Sequence, residues 1–350
     1  MSNSNKYRVA LSSDFIKPDG SLAYPMFDLN PLKAANIEYA FLNCKDEIDA
    51  VEISDFDALI LLAHKFTANS VPDNGRLAVI ARFGVGFDTV DVPACTANHI
   101  ALVITPDGVR RPVAVSVITF ILALTGKMFV KDRITRQGPE GWAKRSDHMG
   151  VGLVGKTLGV LGIGNIGAEI FRLAKPFDFK FIAHDPYADQ GVVKELGIEL
   201  VSLEALFQRA DFLSVNCPLN DHTHHIVNAK NLALMKHTAY LINTARGPVV
   251  DEVALTEVLR DGKIAGAGLD VFEQEPASED NPLFKLDNII VAPHALCWTD
   301  ECFAGNGAAD IKAVLEVMQG RVPVGIVNKA IQDDPAWQAK LDQFKSQFAG

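Results

Sequence analysis

Three segments of the sequence carry charged side chains directly after apolar runs of strand-like composition. Arg246 lies in LINTARGPVVDE, Asp270 and Glu275 lie in GAGLDVFEQEP, and His294 lies in IIVAPHALCW. An arginine can bind a carboxylate through two parallel hydrogen bonds, and a histidine can give or take a hydroxyl proton. A glutamate beside that histidine would hold the ring and favour its protonated form. On neighbouring strand ends, these groups match what reversible oxidation of an alcohol beside a carboxylate requires.

The pattern G-x-G-x-x-G occurs twice between Gly150 and Gly167. This pattern binds a dinucleotide when a strand leads into it and a helix begins inside it. The first match follows the polar segment AKRSDHM, so we interpret it as a loop. The second match, Gly162, Gly164 and Gly167, follows the strand-like TLGVLG and precedes the helix-like AEIFRLAKPF. We expect a tight turn at Gly162, close approach of a pyrophosphate at Gly164, and close helix packing at Gly167.

An acidic residue at the end of the next strand indicates which dinucleotide binds. The strand FKFIAH is followed by Asp185. A carboxylate at this place accepts hydrogen bonds from the adenosine ribose and repels a 2′-phosphate. The sequence therefore predicts NAD as the cofactor, with hydride transfer carried out by its nicotinamide ring.

The segments that position these residues alternate between strand and helix. After Asp185, the helical segments VVKEL, LEALFQRA, NLALMK and DEVALTEVLRDG alternate with strands at FLSVNC, AYLIN, AGAGLDV and NIIVAP. The N-terminal part alternates in the same way, with strands near YRVALSS, ALILLA, AVIARFG and ALVIT. Such alternation predicts an α/β protein with two doubly wound parallel-sheet domains, whose ligands bind at the carboxyl ends of the strands.

The glycine motif lies in the middle of the chain, which suggests that one domain is inserted into another. We predict a Rossmann NAD-binding domain at residues 108–299, inserted into a smaller flavodoxin-like substrate-binding domain of residues 1–107 and 300–350. The tail from about Glu301 has helical spacing in AADIKAVLEVMQGR and would return to the smaller domain.

Composition and charge narrow the function classes. The 350 residues carry a net charge of −10, which argues against nucleic acid or an anionic membrane as the main partner. The N-terminus MSNSNKYRVALSS lacks the apolar core of a secretory signal, and the apolar run from Pro112 to Gly126 is short for a bilayer and typical of a buried helix. Five scattered cysteines without C-x-x-C spacing favour a reduced, cytoplasmic protein. His222, His224 and His225 in NDHTHHIV lack metal-ligand spacing, so we expect no metal and a solvated loop there.

These motifs, in this order, resemble those of the D-isomer-specific 2-hydroxyacid dehydrogenases, the family that includes D-3-phosphoglycerate dehydrogenase and hydroxypyruvate reductase. The likeness runs from ARFGVGFDTVDVPA to GRVPVGIVN and rests on LGVLGIGNIG, NTARGPVVDE, GAGLDVFEQEP and APH. It implies an NAD-dependent enzyme that interconverts a 2-oxo acid and a D-2-hydroxy acid, with Arg246, Glu275 and His294 as the catalytic residues.

The resemblance also implies binding residues and an assembly. The backbone at Val85 and Gly86 would contact the substrate carboxylate, and the apolar segment from Pro112 together with GWAK around Trp142 resembles the family's dimerisation region. We therefore expect a homodimer. Cofactor contacts are implied at residues of the glycine motif and of the later strand ends, namely Gly162, Gly164, Asn165, Ile166, Gly167, Asp185, Cys217, Pro218, Thr244, Ala245 and Asp270.

Departures from the family pattern concern the substrate. PDGVRRPVAVSV has Val109 and Val115 where the family often has Asn and Glu, and Arg110 and Arg111 open the helix expected from Pro112. Either one arginine pairs with a local acid while the other faces solvent, or Arg110 binds a second anionic or hydroxyl-rich group of the substrate. Lys65 in LLAHKFT either lines the substrate mouth or is an ordinary surface lysine. Cys297 and Trp298 replace the usual small-residue turn after the histidine.

Two other function classes remain open on the sequence. A formate or phosphite dehydrogenase would share the fold, but formate dehydrogenases lack the His–Glu partnership, so Glu275 counts against that alternative. A catalytically idle NAD-sensing protein that binds partners would also share the fold. The complete set of Arg246, Glu275 and His294 counts against idleness.

Overall fold

The chain divides into two compact units. The first, called here the discontinuous unit, comprises Met1–Val109 and Thr299–Gly350, and the second, the inserted unit, comprises Arg110–Trp298. The computed structural model describes residues 6–35 and 37–348. The assignment of substrate binding to the discontinuous unit stays a prediction.

Strands and helices alternate along most of the chain. The strands are β1 Arg8–Leu11, β2 Glu38–Phe41, β3 Ala58–Leu61, β4 Val79–Arg82, β5 Ala101–Ile104, β6 Thr157–Leu161, β7 Lys180–His184, β8 Glu199–Leu200, β9 Phe212–Val215, β10 Tyr240–Asn243, β11 Gly266–Leu269 and β12 Ile289–Val291. The α-helices are α1 Asn30–Ala34, α2 Ala50–Ile53, α3 Val92–Ala97, α4 Pro106–Thr125, α5 Met128–Thr135, α6 Pro139–Ala143, α7 Asn165–Ala174, α8 Gln190–Leu196, α9 Leu203–Arg209, α10 Ala229–Leu232, α11 Glu252–Arg260, α12 Asp300–Met318 and α13 Pro335–Phe348.

The discontinuous unit contains a five-stranded parallel sheet in the order β2-β1-β3-β4-β5. This is the flavodoxin-like order expected from the sequence. Strand β3 is buried along its whole length, because strands of a parallel sheet are covered on both faces. Leu59, Leu61 and Ile80 pack with Phe56 and Leu102 in one core of this unit.

Two elements of the discontinuous unit were missed in the sequence. Strand β2 lies at the sheet edge with Glu38 and Ala40 exposed, so it lacks the apolar run that marks a buried strand. Helix α13 buries Trp337, Leu341 and Phe344, and the Trp337 indole N–H donates to the Ala78 carbonyl over 3.0 Å. Their spacing is helical and could have indicated the helix.

The inserted unit contains a seven-stranded parallel sheet in the order β12-β11-β10-β9-β6-β7-β8. Renumbered within the unit, this is the Rossmann order with one further strand. Successive side chains face opposite sides of the sheet and build two cores. Leu213 and Leu241 belong to one core, while Phe212, Tyr240 and Ile242 belong to the other. The two-residue edge strand β8 was missed, because both of its residues are exposed.

Helix α4 begins at Pro106, six residues earlier than expected, so the predicted start at Pro112 is wrong. Proline suits the first turn of a helix, and Asp107 places an acid there. Arg110 and Arg111 consequently lie in the second turn and do not open the helix. In the described part of the chain, α4 is long and apolar enough to cross a membrane by length and composition, but its apolar side chains pack into the core of the inserted unit (Ala114, Val117, Phe120, Ile121 and Leu124).

Candidate active site

Most of the expected site residues of the inserted unit lie at the carboxyl ends of its parallel strands or in the first turn of helix α7, whereas Arg110 lies in α4. Gly162 and Gly164 follow β6, Asp185 follows β7, Cys217 and Pro218 follow β9, Thr244, Ala245 and Arg246 follow β10, Asp270 follows β11, and His294 follows β12. Asn165, Ile166 and Gly167 form the first turn of α7.

The glycine turn after β6 has the geometry of a phosphate cradle. Gly162 has a φ of 94°, and a Cβ there would lie 2.9 Å from the Cys217 nitrogen. A Cβ at Gly167 would lie 2.3 Å from the Gly162 carbonyl oxygen, so helix and strand approach too closely for any side chain. At Gly164, by contrast, no described atom lies within 4 Å of such a Cβ. That open space, at the N-terminus of helix α7, fits a pyrophosphate.

Two further polar groups beside the turn fit a dinucleotide. The Asp185 carboxylate accepts from the backbone N–H of Ile163 over 2.7 Å and of Tyr187 over 2.8 Å, which fixes it next to the glycine turn. The Thr244 hydroxyl is buried, and nothing in the described residues hydrogen-bonds to it. Because buried hydroxyls are normally paired, Thr244 is suited to hydrogen-bond a bound cofactor.

Arg246 is held by a local turn at the end of β10. The Asn243 side chain accepts from the Ala245 N–H over 3.0 Å and donates to the Arg246 carbonyl over 2.9 Å. Gly247 leaves no room for a side chain, since a Cβ there would lie 1.8 Å from the Phe272 carbonyl oxygen. Sequence reasoning missed Asn243 as a positioning residue, although an Asn that opens a turn at a strand end is a recognised pattern.

His294 and Glu275 form a direct pair. The His294 Nδ1 lies 2.7 Å from Glu275 Oε2, and Glu275 Oε1 accepts from the Phe272 N–H over 2.9 Å. Burial raises the pKa of Glu275, but the hydrogen bond and charge of His294, the Phe272 N–H and the Arg246 charge outweigh it and hold the pKa below its usual value. The imidazole is 45% exposed, so it is both oriented and accessible to a substrate.

Asp270 supports the loop that carries His294. The backbone N–H of His294 donates to the Asp270 backbone carbonyl over 2.7 Å. The Asp270 carboxylate accepts from the backbone N–H groups of Ala295 and Leu296. Burial raises the pKa of Asp270, against the lowering effect of these backbone donors. Asp270 therefore shapes the histidine turn, and its implied contact with the cofactor stays a prediction. The same turn continues to Trp298, whose N–H donates to the Ala295 carbonyl.

The predicted substrate contacts lie in different places. Val85 and Gly86 form a half-buried bend after β4, and Lys65 is exposed after β3, all in the discontinuous unit. In the inserted unit, Arg111 pairs with Glu169 at 2.5 Å, and Arg110 lies close enough for its charge to contribute to the lowered pKa of Glu169. The local-acid alternative therefore holds for Arg111, while substrate binding by Arg110 stays a prediction.

The histidine cluster in NDHTHHIV is more ordered than the expected solvated loop. His225 Nε2 lies 2.6 Å from Glu273 Oε1, and the His224 and His225 rings stack with centroids 4.0 Å apart. The backbone N–H of His225 also donates to the Pro248 carbonyl over 2.9 Å. His222 and His224 are exposed in a turn, as expected of a solvated loop, while His225 is half-buried and pairs with a carboxylate on the β11 loop.

Known proteins are similar to this chain in sequence and in fold. A family model described as D-isomer specific 2-hydroxyacid dehydrogenase, NAD binding domain, matches residues 118–295. The chain is 36% identical to a glyoxylate reductase of Korarchaeum cryptofilum over 281 residues, which is 80% of this chain and 85% of that protein. The chain belongs to the D-isomer specific 2-hydroxyacid dehydrogenase family.

Other relatives agree with this assignment. A D-3-phosphoglycerate dehydrogenase of Methanocaldococcus jannaschii is 37% identical over 298 residues, 85% of this chain and 56% of that protein. The solved structure of a glyoxylate reductase from Paecilomyes thermophila superposes with a TM-score of 0.79 at 26% identity, covering 93% of this chain and 99% of that one. The chain is thus an NAD-dependent D-2-hydroxyacid dehydrogenase, which confirms the family, fold class, enzyme class and cofactor expected from the sequence.

Proposed function

We propose that this dehydrogenase reduces a small 2-oxo acid with NADH, and that Arg246, His294 and Glu275 carry the reaction. Arg246 binds the substrate carboxylate with its guanidinium fork, because that group offers parallel donors in a fixed plane. His294 gives a proton to the carbonyl oxygen during reduction and takes it back during oxidation. NADH supplies the hydride.

The observation that carries this proposal is the 2.7 Å contact between His294 Nδ1 and Glu275 Oε2. An ionised carboxylate accepts hydrogen bonds only, so Nδ1 carries a proton and Nε2 is the nitrogen that exchanges a proton with substrate. The same pair favours a 2-hydroxy acid reaction over formate oxidation, which breaks a C–H bond with no hydroxyl proton to transfer.

The relatives support a small substrate, since several are named glyoxylate reductase. We propose glyoxylate or a 2-oxo acid of similar size, such as hydroxypyruvate. If Arg110 contacts the distal end of the substrate, 2-oxo acids with a distal hydroxyl, carboxylate or phosphate should outperform pyruvate. For those substrates, the Arg110→Ala substitution should then lower kcat/KM by an amount equivalent to about 1.5–3 kcal/mol of transition-state stabilisation. It should leave kcat/KM for pyruvate unchanged.

We also propose that the protein is a cytoplasmic homodimer assembled through the inserted unit. Large apolar side chains are exposed along and after α4, which soluble proteins seldom leave uncovered in one region. They are Val115 (44%), Leu122 (42%), Met128 (65%), Phe129 (62%) and Trp142 (58%). Light scattering on the purified protein should give twice the monomer mass, and a Phe129→Glu variant should shift it towards monomer.

The test of the proposed reaction is a screen of NADH oxidation across 2-oxo acids that differ in size and charge. Glyoxylate, hydroxypyruvate, pyruvate, 2-oxoglutarate and phenylpyruvate cover that range, with formate plus NAD as the reverse-direction control. We expect turnover with at least one small 2-oxo acid and none with formate. Tight NADH binding without turnover on any of them would contradict the proposal and favour an NAD-sensing role.

A further inference from the structure

A second group of reactive side chains lies in the discontinuous unit, outside the motifs of the dehydrogenase site. Asp14 follows β1, Cys44 follows β2 and His64 follows β3. These strands lie side by side in the order β2-β1-β3 and are parallel, so the three residues meet at the carboxyl ends of the strands. Carboxyl ends of parallel strands are where α/β domains place their reactive groups.

The side chains form a hydrogen-bonded chain from carboxylate to imidazole to thiol. His64 Nδ1 lies 3.1 Å from Asp14 Oδ2. On the other side of the ring, Nε2 lies 3.2 Å from Ser13 Oγ, which is 3.4 Å from Cys44 Sγ. The His64 ring also lies close enough to the Cys44 thiol to help lower its pKa. This order of nucleophile, base and orienting acid is that of activated cysteine nucleophiles.

The acid end of the chain is fixed by its own partners. Asp14 Oδ2 accepts from the Ala63 N–H over 2.8 Å, and Asp14 Oδ1 accepts from the Ser12 hydroxyl over 2.5 Å. Burial raises the pKa of Asp14, but these donors and His64 outweigh it and hold the pKa below its usual value. Asp14 is therefore ionised at neutral pH, and His64 must carry a proton on Nδ1.

The electrostatics favour a thiolate beside an imidazolium. The hydrogen bonds to Asp14 and then to Cys44 raise the pKa of His64 to about 10. Burial raises the pKa of the Cys44 thiol, but the hydrogen bonds from His64 and Ser13 outweigh it and leave the pKa below the ordinary value. The Tyr24 phenol also interacts with the cluster, and its pKa is raised by burial and by the Asp14 charge.

The other cysteines of the chain provide an internal contrast. All five carry free thiols. Burial raises the pKa of Cys95 to about 12 and that of Cys217 to about 11. Cys44 is half-buried, so a small reagent can reach it, and it faces a cation that those two cysteines lack.

We propose that Cys44, with His64 and Asp14, is a nucleophilic thiol site that hydroperoxides oxidise to a sulfenic acid. The Cys44 thiolate attacks one peroxide oxygen, so an S–O bond forms as the O–O bond breaks. Sulfur loses two electrons and the peroxide gains them. The departing hydroxide of hydrogen peroxide, or alkoxide of an organic hydroperoxide, takes the proton from His64 Nε2 and leaves as water or an alcohol. A thiol reductant can restore Cys44.

The competing explanation is that the cluster only ties three loops together. The two explanations differ in what they predict for the chemistry of the thiol. A purely structural network would hold Cys44 as an unreactive thiol in place, whereas a nucleophilic site needs the thiolate at neutral pH.

The first test oxidises the intact protein with hydrogen peroxide in the presence of dimedone, which traps sulfenic acids. Peptide mass spectrometry then measures the adduct at each cysteine separately. We expect the adduct at Cys44 to exceed that at Cys95 and Cys217 by at least about tenfold. Equal labelling at these positions, or no adduct at Cys44, would overturn the proposal.

The second test measures how fast iodoacetamide alkylates Cys44 as a function of pH. In wild-type protein the rate should reach half its maximum well below the ~8.5 of a free thiol. His64→Gln should slow alkylation at pH 7 by about tenfold or more, because one pK unit changes the thiolate fraction tenfold. Asp14→Asn should act in the same direction with a smaller effect, and Cys95→Ser should change neither.

The wild-type profile keeps the proposal testable if His64→Gln fails to fold. A half-maximal rate at or above that of a free thiol would contradict the proposal without any variant. Both tests read the thiol directly, so their outcome is independent of whether the enzyme reduces 2-oxo acids.

Discussion

The imidazole of His294 is fixed from two directions, by its own backbone and by its ring. The backbone N–H of His294 donates to the Asp270 carbonyl over 2.7 Å, and its ring Nδ1 lies 2.7 Å from Glu275 Oε2. The backbone φ of His294 is 54°. A left-handed backbone is unusual for a histidine and persists only where surrounding contacts determine it. A cofactor-binding sheet thus supplies both the carbonyl and the carboxylate that aim the ring.

Glu275 should set the pH range of reduction. Its pKa is held below the usual value, so it is ionised at working pH and stabilises the protonated imidazole. Glu275→Gln removes this charge. We expect the pH range of fast reduction to shift to lower pH, and kcat at pH 7 to fall by about tenfold or more. Rate measurements from pH 5 to 9 check this.

A matched control for that variant is Glu273→Gln. Glu273 lies on the same loop as Glu275 and also pairs with a histidine, His225. That histidine has no part in the proposed reaction. Glu273→Gln should leave the pH profile in place. If both variants shift the profile equally, the effect is general electrostatics and Glu275 has no special role.

Asp185 should decide between the two nicotinamide cofactors. Its carboxylate is held on the glycine turn by the Ile163 N–H, where it would repel a 2′-phosphate. We expect NADH to be preferred over NADPH by at least about tenfold, or ~1.4 kcal/mol. Asp185→Asn keeps an oxygen for the Ile163 N–H and removes the charge, so it should narrow the ratio of kcat/KM values. Equal use of both cofactors by the wild-type enzyme would refute this role.

The turn between β6 and α7 separates two functions of glycine within one element. Gly167→Ala should destabilise the protein, since its methyl group would lie 2.3 Å from the Gly162 carbonyl oxygen. Gly164→Ala has open space and should fold like the wild type, but its methyl group would occupy the place of the pyrophosphate. We expect a Tm loss for Gly167→Ala alone and at least about tenfold weaker NADH binding for Gly164→Ala. The reverse pattern would show that the phosphates bind elsewhere.

The strands that position the site could be predicted from sequence because each is an apolar run that ends in a polar group. Strands β7, β9, β10, β11 and β12 fulfil this, β6 leads into the glycine motif instead, and the helix after that motif follows from its apolar spacing. Strands β2 and β8 could not be found in the same way, because edge strands are half-exposed. The start of α4 was wrong because Pro112 was interpreted as a first residue, although it lies inside the helix.

The side-chain pairs are harder to predict from sequence than the strands, because residues distant in sequence meet only in the folded chain. The His–Glu pair was expected from charged residues at neighbouring strand ends and from the resemblance to a family, but the Asp270 contacts with Ala295 and Leu296 were not expected. No sequence pattern indicated that Cys44, His64 and Asp14 would meet, because their loops follow three different strands. The expected strand order makes these loops neighbours, but which of their side chains touch is decided only when the loops fold.

Across the molecule, each unit has its own parallel sheet and places reactive groups at the carboxyl ends of the strands. The discontinuous unit also contains a buried acid, Asp310, whose carboxylate oxygens make no hydrogen bond to any described residue. Burial raises the pKa of Asp310 well above its usual value, although the Arg82 charge opposes this. Such a group makes the folded protein less stable as pH rises, because the unfolded chain loses this proton first.

Asp310→Asn should therefore stabilise the protein increasingly with pH. An amide resembles the neutral carboxyl group in shape and cannot ionise, so we expect the Tm gain over wild type to grow between pH 5 and pH 8. Thermal unfolding across this range checks it, with Asp342→Asn, an exposed acid of α13, as the control. A Tm difference that stays constant with pH would show that Asp310 ionises at ordinary pH in the fold.

His294 transfers the substrate proton in the proposed reaction. His294→Asn retains a polar group of similar size but cannot exchange that proton, and it lies outside the glycine turn that binds the cofactor. With the best 2-oxo acid of the screen, kcat for NADH oxidation should fall by roughly 10²–10⁴ while the Kd for NADH stays unchanged. His225→Asn, the matched histidine paired with Glu273, should retain wild-type kcat. A His294→Asn enzyme with wild-type kcat and an unaltered pH profile would contradict the claim.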